Sequence, residues 1–374
     1  MKTFIEIHVL QNYAPSNLNR DDTGAPKDAF FGGRRRARIS SQCQKRAARV
    51  KDTIRTKRLR EELTKILITK GRNQEECNQR IELALKSVKL IVKEDGKTEY
   101  LLFLGKREIE GIANAIDKHW DSLVSSVALD EKTDKRKKKK GEEADALPAE
   151  LKSSIEKALD GGKAIDLALF GRMLADMPKK NQNAACQVAH AISTHAVDRE
   201  FDFYTALDDL KPEETAGSDM MGTVEFNSAC FYRYAVVDHE KLIENLQKDK
   251  ELAYSGLRTF LENFVIAEPT GKQNSFAAHN PPEYVAVSVR HNTAPRNLAN
   301  AFEVPVRVKN EESLTTESAK RLAEKEKRLS AIYGDDGKSF YFDVLDTQAA
   351  IGARKNSLRE LLDAVIETVK KSEA

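Results

Sequence analysis

Apolar and polar positions alternate from residue 3 to residue 10, with Ile5, Ile7 and Val9 on one face. A period of two predicts a β-strand there. A polar, turn-rich stretch follows from Asn12 to Phe31, holding Asn19, Arg20, Asp21, Asp22 and Gly24, and then the pair Gly32-Gly33. Ser40 and Ser41 suit the cap of a helix from about residue 42 to 50. Between about 53 and 160 the period turns helical: Leu59, Leu63, Ile66 and Leu67 share one face, and Ile81, Leu85 and Val88 another. Gly161 and Gly162 close that helical insertion. Ile165, Leu167 and Leu169 alternate and predict a strand ahead of Gly171-Arg172-Met173, whereas 184–197 reads as a helix with Val188, Ile192 and His195 near one face.

Residues 198–222 are acidic and aromatic and keep no period. An aperiodic stretch of that length inside a compact protein is a functional excursion or disordered. Two strands follow, one through Val224, Phe226, Ser228, Cys230, Tyr232 and Tyr234, the other from Tyr284 to Arg290. The end is helical. Ser357 and Glu360 make a capping-box pattern, and Leu358, Leu361, Leu362, Val365, Ile366 and Val369 form an apolar stripe. With the insertions removed, the order of elements predicts an α+β fold with a ferredoxin-like, split βαβ core, the plan of the RNA-recognition fold.

Charge sharpens the picture. The 374 residues carry a net +3, but residues 34–60 hold twelve Lys or Arg against the single acid Asp52. That stretch is therefore +11 and the remainder −8, a local field that attracts polyanions whatever the total. In Lys27–Arg49 the glycines permit close backbone approach, the arginines offer planar donors for phosphate oxygens, and Ser40, Ser41 and Gln42 sit where a helix start presents N–H groups. A run of charge alone is commonly a solvated face; here three features converge on nucleic-acid contact. The run Lys135 to Lys140 is either a solvated loop or a non-specific DNA contact. Met173 is either core filler or a wedge against a base, and the aromatics around Tyr204 and Thr205 either stack on bases or anchor a long loop.

Catalytic signals are thin. Cys43, Cys77, Cys186 and Cys230 lie far apart with no CxxC pair, which argues against a zinc module or a dense disulfide framework. His190 and His195 are five residues apart rather than four, and no HExxH, Walker A, GxSxG or dinucleotide fingerprint occurs. The pairs Asp208-Asp209 and Asp335-Asp336 are ordinary turn chemistry or, less simply, a catalytic pair. No metal and no cofactor is expected. The first apolar stretch is too short for a signal peptide and no run approaches the roughly 18 apolar residues of a membrane span, so the sequence reads as a soluble, cytoplasmic protein with no membrane partner.

Several segments resemble the backbone subunit of the type I-E CRISPR Cascade surveillance complex. They are LNRDD at 18–22, KDAFFGG at 27–33, ARISSQ at 37–42, DLALFGRM at 166–173, AHAISTHAVD at 189–198, FYTALDDL at 203–210, GTVEFNSACFYRYA at 222–235 and NLANAFE at 297–303. The resemblance implies a hand: a palm of 1–52, 161–197 and 223–374 with its C-terminal helix, helical fingers over 53–160, and a protruding thumb loop at 198–222. It further implies several copies stacked along one CRISPR RNA beside other Cascade subunits, each thumb displacing one nucleotide and leaving the intervening guide bases free for target DNA. Arg20, Lys27, Arg34, Ser40, Gln42, Lys45, Arg46 and Arg49 become guide-backbone contacts, Met173 the wedge, and Tyr204 and Thr205 the thumb tip. Lys137, Lys138, Lys139 and Lys140 become candidate DNA contacts. Such a subunit needs no active site. The alternative is aspartate-dependent RNA cleavage, as in backbone subunits of other CRISPR effector classes, for which Asp208, Asp209 and Asp219 are the available acids.

Overall fold

The computed structural model describes residues 2–123, 149–161, 163–206, 220–308, 313–334 and 336–373. The chain divides into two units. One comprises Met1–Arg49, Cys186–Glu240 and Tyr254–Ala374, the other Val50–Ala185 and Lys241–Ala253.

The first unit is built on a sheet. Its strands in chain order are β1 (Thr3–Ser16), β2 (Asp28–Phe31), β3 (Arg34–Ile39), and, past the other unit's β4 (Thr53–Thr56) and β5 (Leu102–Gly105), β6 (Cys186–Val188), β7 (Ala191–Ser193) and β8 (Glu200–Ala206). The long β9 (Met220–Asp238), β10 (Tyr284–His291), β11 (Gly337–Asp343) and β12 (Ala353–Arg354) complete the set. β1 lies between β10 and β9, antiparallel to both, and β6 pairs with the far side of β9. With one helix (Ser41–Ala48) before β6 and another (Lys250–Ile266) before β10, this is the ferredoxin-like order expected from the sequence. β11 pairs antiparallel with β10 and parallel with β12, so the sheet is mixed.

β1 is covered on both faces. Ile5, Ile7 and Val9 are fully buried, and so are Glu6, His8 and Leu10 between them. Leu10 joins Tyr232, Tyr284, Phe302 and Leu322 in one core. The C-terminal helix Leu358–Ser372 buries Leu361, Leu362, Val365 and Val369. Its cap departs slightly from the expected box. The Ser357 hydroxyl accepts from Glu360 N–H at 3.2 Å, but the Glu360 carboxylate reaches back to Asn356 N–H.

The second unit is mainly helical. Leu59–Thr69, Gln74–Ser87, Lys106–Lys118 and Ala149–Ala158 surround a core of Leu59, Leu63, Leu67, Ile81, Leu85, Ile112, Ile116 and Ile155 beside the two-stranded β4–β5. The stripes read from the sequence are the stripes that pack; Ile66 alone is only half-buried.

Two local readings are overturned. Ile165–Phe170 is a short helix, not a strand. Leu167 and Leu169 are buried together with Asp166 and Ala168 while Ile165 is half-buried, and Asp166 accepts from Val50 N–H, Lys51 N–H and the Thr53 hydroxyl, contacts a periodicity count cannot see. Residues 184–197 are not a helix but the strands β6 and β7. Both dock on β9, where Cys186 faces Val237 and Ile192 faces Tyr232, and the ladder overrides local propensity.

The β2–β3 hairpin turns on Gly32 and Gly33, with φ of +57° and +71°. That is the left-handed pair a two-residue hairpin turn demands. The tip sits on another backbone: a Cβ at Gly32 would lie 1.8 Å from the Glu303 carbonyl oxygen, whereas one at Gly33 would meet nothing. Gly33→Ala is therefore expected to cost about 1 kcal/mol and Gly32→Ala about 2–4 kcal/mol, read as the difference between two thermal unfolding curves. Equal losses would show that the close approach to Glu303 carries no weight.

Candidate nucleic-acid interface

The basic stretch does not act as one surface. Arg36 is fully buried, and its guanidinium donates to the carbonyls of Ser193 (3.0 Å), Thr194 (3.1 Å), Phe302 (2.8 Å) and Glu303 (3.2 Å). It is a structural clasp. Arg35 pairs with Asp28, Arg58 with Glu61 and Arg60 with Glu82.

What remains in the first unit is carried by three rigid pieces. The loop from Asn17 to Lys27 is stapled from within: Asn17 Nδ2 donates to Gly24 and Glu225 carbonyls, both at 2.9 Å, and Asp21 Oδ1 accepts from Thr23 N–H and Ala25 N–H. Asn19 ties it outward, its Oδ1 accepting from Ser40 N–H at 2.8 Å and its carbonyl from Lys27 N–H at 2.8 Å. This fixes the exposed Arg20 and the half-buried Lys27 beside the start of the helix. The β2–β3 hairpin presents the exposed Arg34 at its turn. The helix Ser41–Ala48 carries the exposed Gln42 and Arg46 and the half-buried Lys45, with Arg49 as its C-cap.

Ser40 is buried, and its hydroxyl accepts from Cys43 N–H at 3.3 Å as the cap of that helix. Its side chain is thus part of the scaffold that aims Gln42 and Arg46. Arg20, Lys27, Arg34 and Arg46 make no ion pair among the described residues. Cationic fields overlap here. Burial raises the Cys43 thiol pKa while Arg46 and Lys27 pull it down, and His190 is lowered by burial and then by Arg38 and Lys27. Arg38, not singled out from the sequence, bonds to His190 Nδ1 at 3.0 Å and to the Asp28 carbonyl at 3.1 Å. It lines a small groove with Lys27, Asn19 and Phe231.

Residues missed by sequence reasoning are the positioning ones. Asp28 takes Arg35 and also Arg199 at 2.8 Å, and Arg199 reaches Glu225 at 3.0 Å. Burial pushes the Asp28 carboxyl up, but Arg199 and Arg35 outweigh it and hold it below the usual carboxylate range. The pattern LNRDD was visible; that Asn17 and Asn19 close the loop was not, since their partners lie up to 208 residues away.

The aperiodic excursion is in part a two-stranded ribbon. β8 pairs with the first residues of β9, so that Phe201 faces Glu225, Phe203 faces Thr223 and Thr205 faces Met221. Phe201, Phe203 and Met221 are each about two-thirds exposed (65%, 64% and 66%) on one face. Tyr204 lies across its partner Gly222, where any Cβ would collide with the ring, and Thr205 is exposed.

In the second unit, Met173 is 81% exposed and not core filler. It follows a locked residue. Arg172 donates to both Glu108 carboxylate oxygens at 2.7 and 2.8 Å with almost no exposure, and its backbone exchanges two 2.9 Å hydrogen bonds with Gln182. Lys137 to Lys140 and the acids Asp208, Asp209 and Asp219 lie outside the described residues. Among the described residues no group of three or more His, Cys, Asp or Glu side chains stands where it could share a metal ion, and no helix is long and apolar enough to cross a membrane.

Fold and site together define an α+β protein that holds a cationic loop, hairpin and helix rigidly on a ferredoxin-like sheet. The chain belongs to the CT1975-like protein family, whose model matches residues 5–368. It is similar to a chain of a solved structure described as a CRISPR RNA-guided surveillance complex, pre-nicking, at 32% identity and a TM-score of 0.84, covering 97% of this chain and 99% of that one. A second, described as a CRISPR RNA-guided surveillance complex, shares 28% identity with a TM-score of 0.73 over 97% and 99%. No curated protein matches the chain.

Proposed function

We propose that this chain binds CRISPR RNA and serves, in several copies, as the backbone of a type I-E Cascade surveillance complex in the cytoplasm. The observation that carries the reading is the 32% identity, over 97% of the chain, to a subunit of a CRISPR RNA-guided complex. The exposed cations on the Asn17–Lys27 loop, the β2–β3 hairpin and the helix Ser41–Ala48 supply what such a role needs. They can hold phosphates, whereas sequence is read by base pairing rather than by the protein. In this reading 1–52, 161–197 and 223–374 form the palm, 53–160 the fingers and 198–222 the thumb, with Met173, Tyr204 and Thr205 at displaced nucleotides. The bases between them pair with target DNA. Heterologous contacts between copies that do not close into a ring give a filament along the guide. The subunit itself does not cut.

Nuclease footprinting of a CRISPR RNA co-purified with the protein tests this. Hypersensitive positions at a constant interval within a protected tract are the expected result. A single short footprint would mean that one copy binds alone and that the filament reading is wrong. Loss of RNA on incubation with Mg²⁺, abolished by Asp→Ala changes at 208, 209 or 219, would favour the cleaving alternative.

A further inference from the structure

A cavity of about 440 Å³ lies within the helical unit, apart from the cations already described. Four cationic side chains, Lys51, Lys106, Arg107 and Lys163, line it against the single carboxylate of Asp52. The remaining wall is apolar: Val50, Ala164, Ile165 and Leu252. Cavities of this size commonly hold small organic ligands, which a few convergent polar groups orient on an apolar wall.

The cations are held there against local cost. Lys106 and Arg107 open the helix Lys106–Lys118, whose N-terminal end already carries the positive pole of the backbone dipoles. The one acid in that first turn, Glu108, is turned inward onto Gly105 N–H, Gly161 N–H and Arg172, so it does not offset them. Lys51 and Lys163 both sit in left-handed backbone, at φ of +69° and +52°, where a side-chain-bearing residue is disfavoured. Carboxylates bonded to the backbone accompany that geometry. Asp166 binds the N–H groups of Val50 and Lys51, while Asp52 accepts from Ile165 N–H and Asp166 N–H. Asp249 holds Lys163 at 2.8 Å. Lys51, Lys106 and Arg107 make no ion pair among the described residues. Burial, reinforced by the nearby Asp166, pushes the Asp52 carboxyl above its usual range.

We infer that this cavity binds a nucleoside phosphate, its phosphate on Lys51, Lys106 and Arg107 and its base against the apolar wall. A bare anion would use the cations and leave the wall empty, and an apolar molecule would leave three unpaired cations facing it. Two sources carry this chemistry: a free nucleotide, or one nucleotide of a strand. The inference does not depend on the proposed guide-binding role, because its cations are a different set.

Titration calorimetry on the full chain, stripped of RNA, tests it with four probes: ADP, adenosine, inorganic phosphate and a ten-nucleotide RNA. ADP is expected to bind one to one, at least tenfold more tightly than either phosphate or adenosine. The double substitution Lys106→Glu, Arg107→Glu, on two exposed side chains, is expected to weaken ADP at least tenfold without lowering the unfolding midpoint, since acids suit a helix N-terminus. Competition assigns the source: RNA displacing ADP at a lower concentration than ADP itself points to a strand, and the reverse to a free nucleotide. Absence of ADP binding, or ADP binding equally well to the double variant, overturns the inference. Should the double variant unfold, Lys51→Ala alone provides the same comparison.

Discussion

Replacing Arg290 by Ala is expected to destabilise the sheet unit by about 3–5 kcal/mol, the loss typical when one member of a buried ion-pair network is removed. Arg290 is fully buried on β10. Its Nε donates to Glu6 of β1 at 2.8 Å, and its other arm pairs with Glu326 of the helix Leu314–Tyr333. Arg296 adds a second cation, 3.3 Å from Glu326, and His8 stands 3.6 Å from Glu6. Burial pushes the Glu6 carboxyl up, yet His8 and Arg290 outweigh that and hold it below the usual range. A carboxylate with a depressed pKa contributes stability above its unfolded pKa and loses it as pH falls through the folded one. The Arg290→Ala variant leaves Glu6 and Glu326 short of a partner, and Glu6, losing the cation that lowers it, takes up a proton more readily. The gap between wild type and variant, measured by denaturant unfolding, should therefore be widest near neutrality and narrow on acidification. Changing Glu6 and Glu326 to Gln alongside Arg290→Met should recover much of the loss. If that triple variant is no more stable than Arg290→Ala, the network is not what holds these elements.

The second large effect is expected on RNA. Arg20, Arg34 and Arg46 are exposed, so their joint replacement by Ala should leave the fold intact. At about 1 kcal/mol per lost phosphate contact, binding should weaken roughly 100-fold. The slope of log K against log salt should flatten by about 2, since a single strand gives about 0.7 per contact. The loss should be alike for unrelated sequences, as phosphate contacts demand. Arg58→Ala with Arg60→Ala removes two cations of the same stretch that already pair with Glu61 and Glu82. If that pair weakens binding as much as the triple change, affinity follows bulk charge and the assigned face is wrong. A loss confined to some sequences would instead mean that these arginines read bases.

The sequence made some of this legible and hid the rest for physical reasons. Amphipathic stripes such as Leu59, Leu63 and Leu67 repeat within a helix and need no knowledge of the partner. The capped helix after Ser40 was legible for the same reason, its signal lying within four residues. Ile165–Phe170 and residues 184–197 were misread because six to fourteen residues carry too little period to outvote what packs against them. Charge density located the basic face but could not sort it. Arg36 and Arg34 are two positions apart in one RRRAR run and share a side of β3, yet Arg36 is buried on the carbonyls of Ser193, Thr194, Phe302 and Glu303 while Arg34 stands exposed at the turn. The exposure of Met173 was equally hidden, being set by the Arg172–Glu108 pair across 64 residues.

The 19-residue β9 pairs with β1 over its C-terminal half and with β8 over its N-terminal end, so one unbroken strand runs from the sheet into the ribbon. Side-chain direction along a strand alternates with every residue. An insertion or deletion of one residue in β9 between Phe226 and Ala229 would turn Met221 and its neighbours to the opposite side of the ribbon. A change of two would keep the face and only alter the reach. Natural length variation at this junction should accordingly occur in even steps, with odd steps found only where a bulge restores the phase.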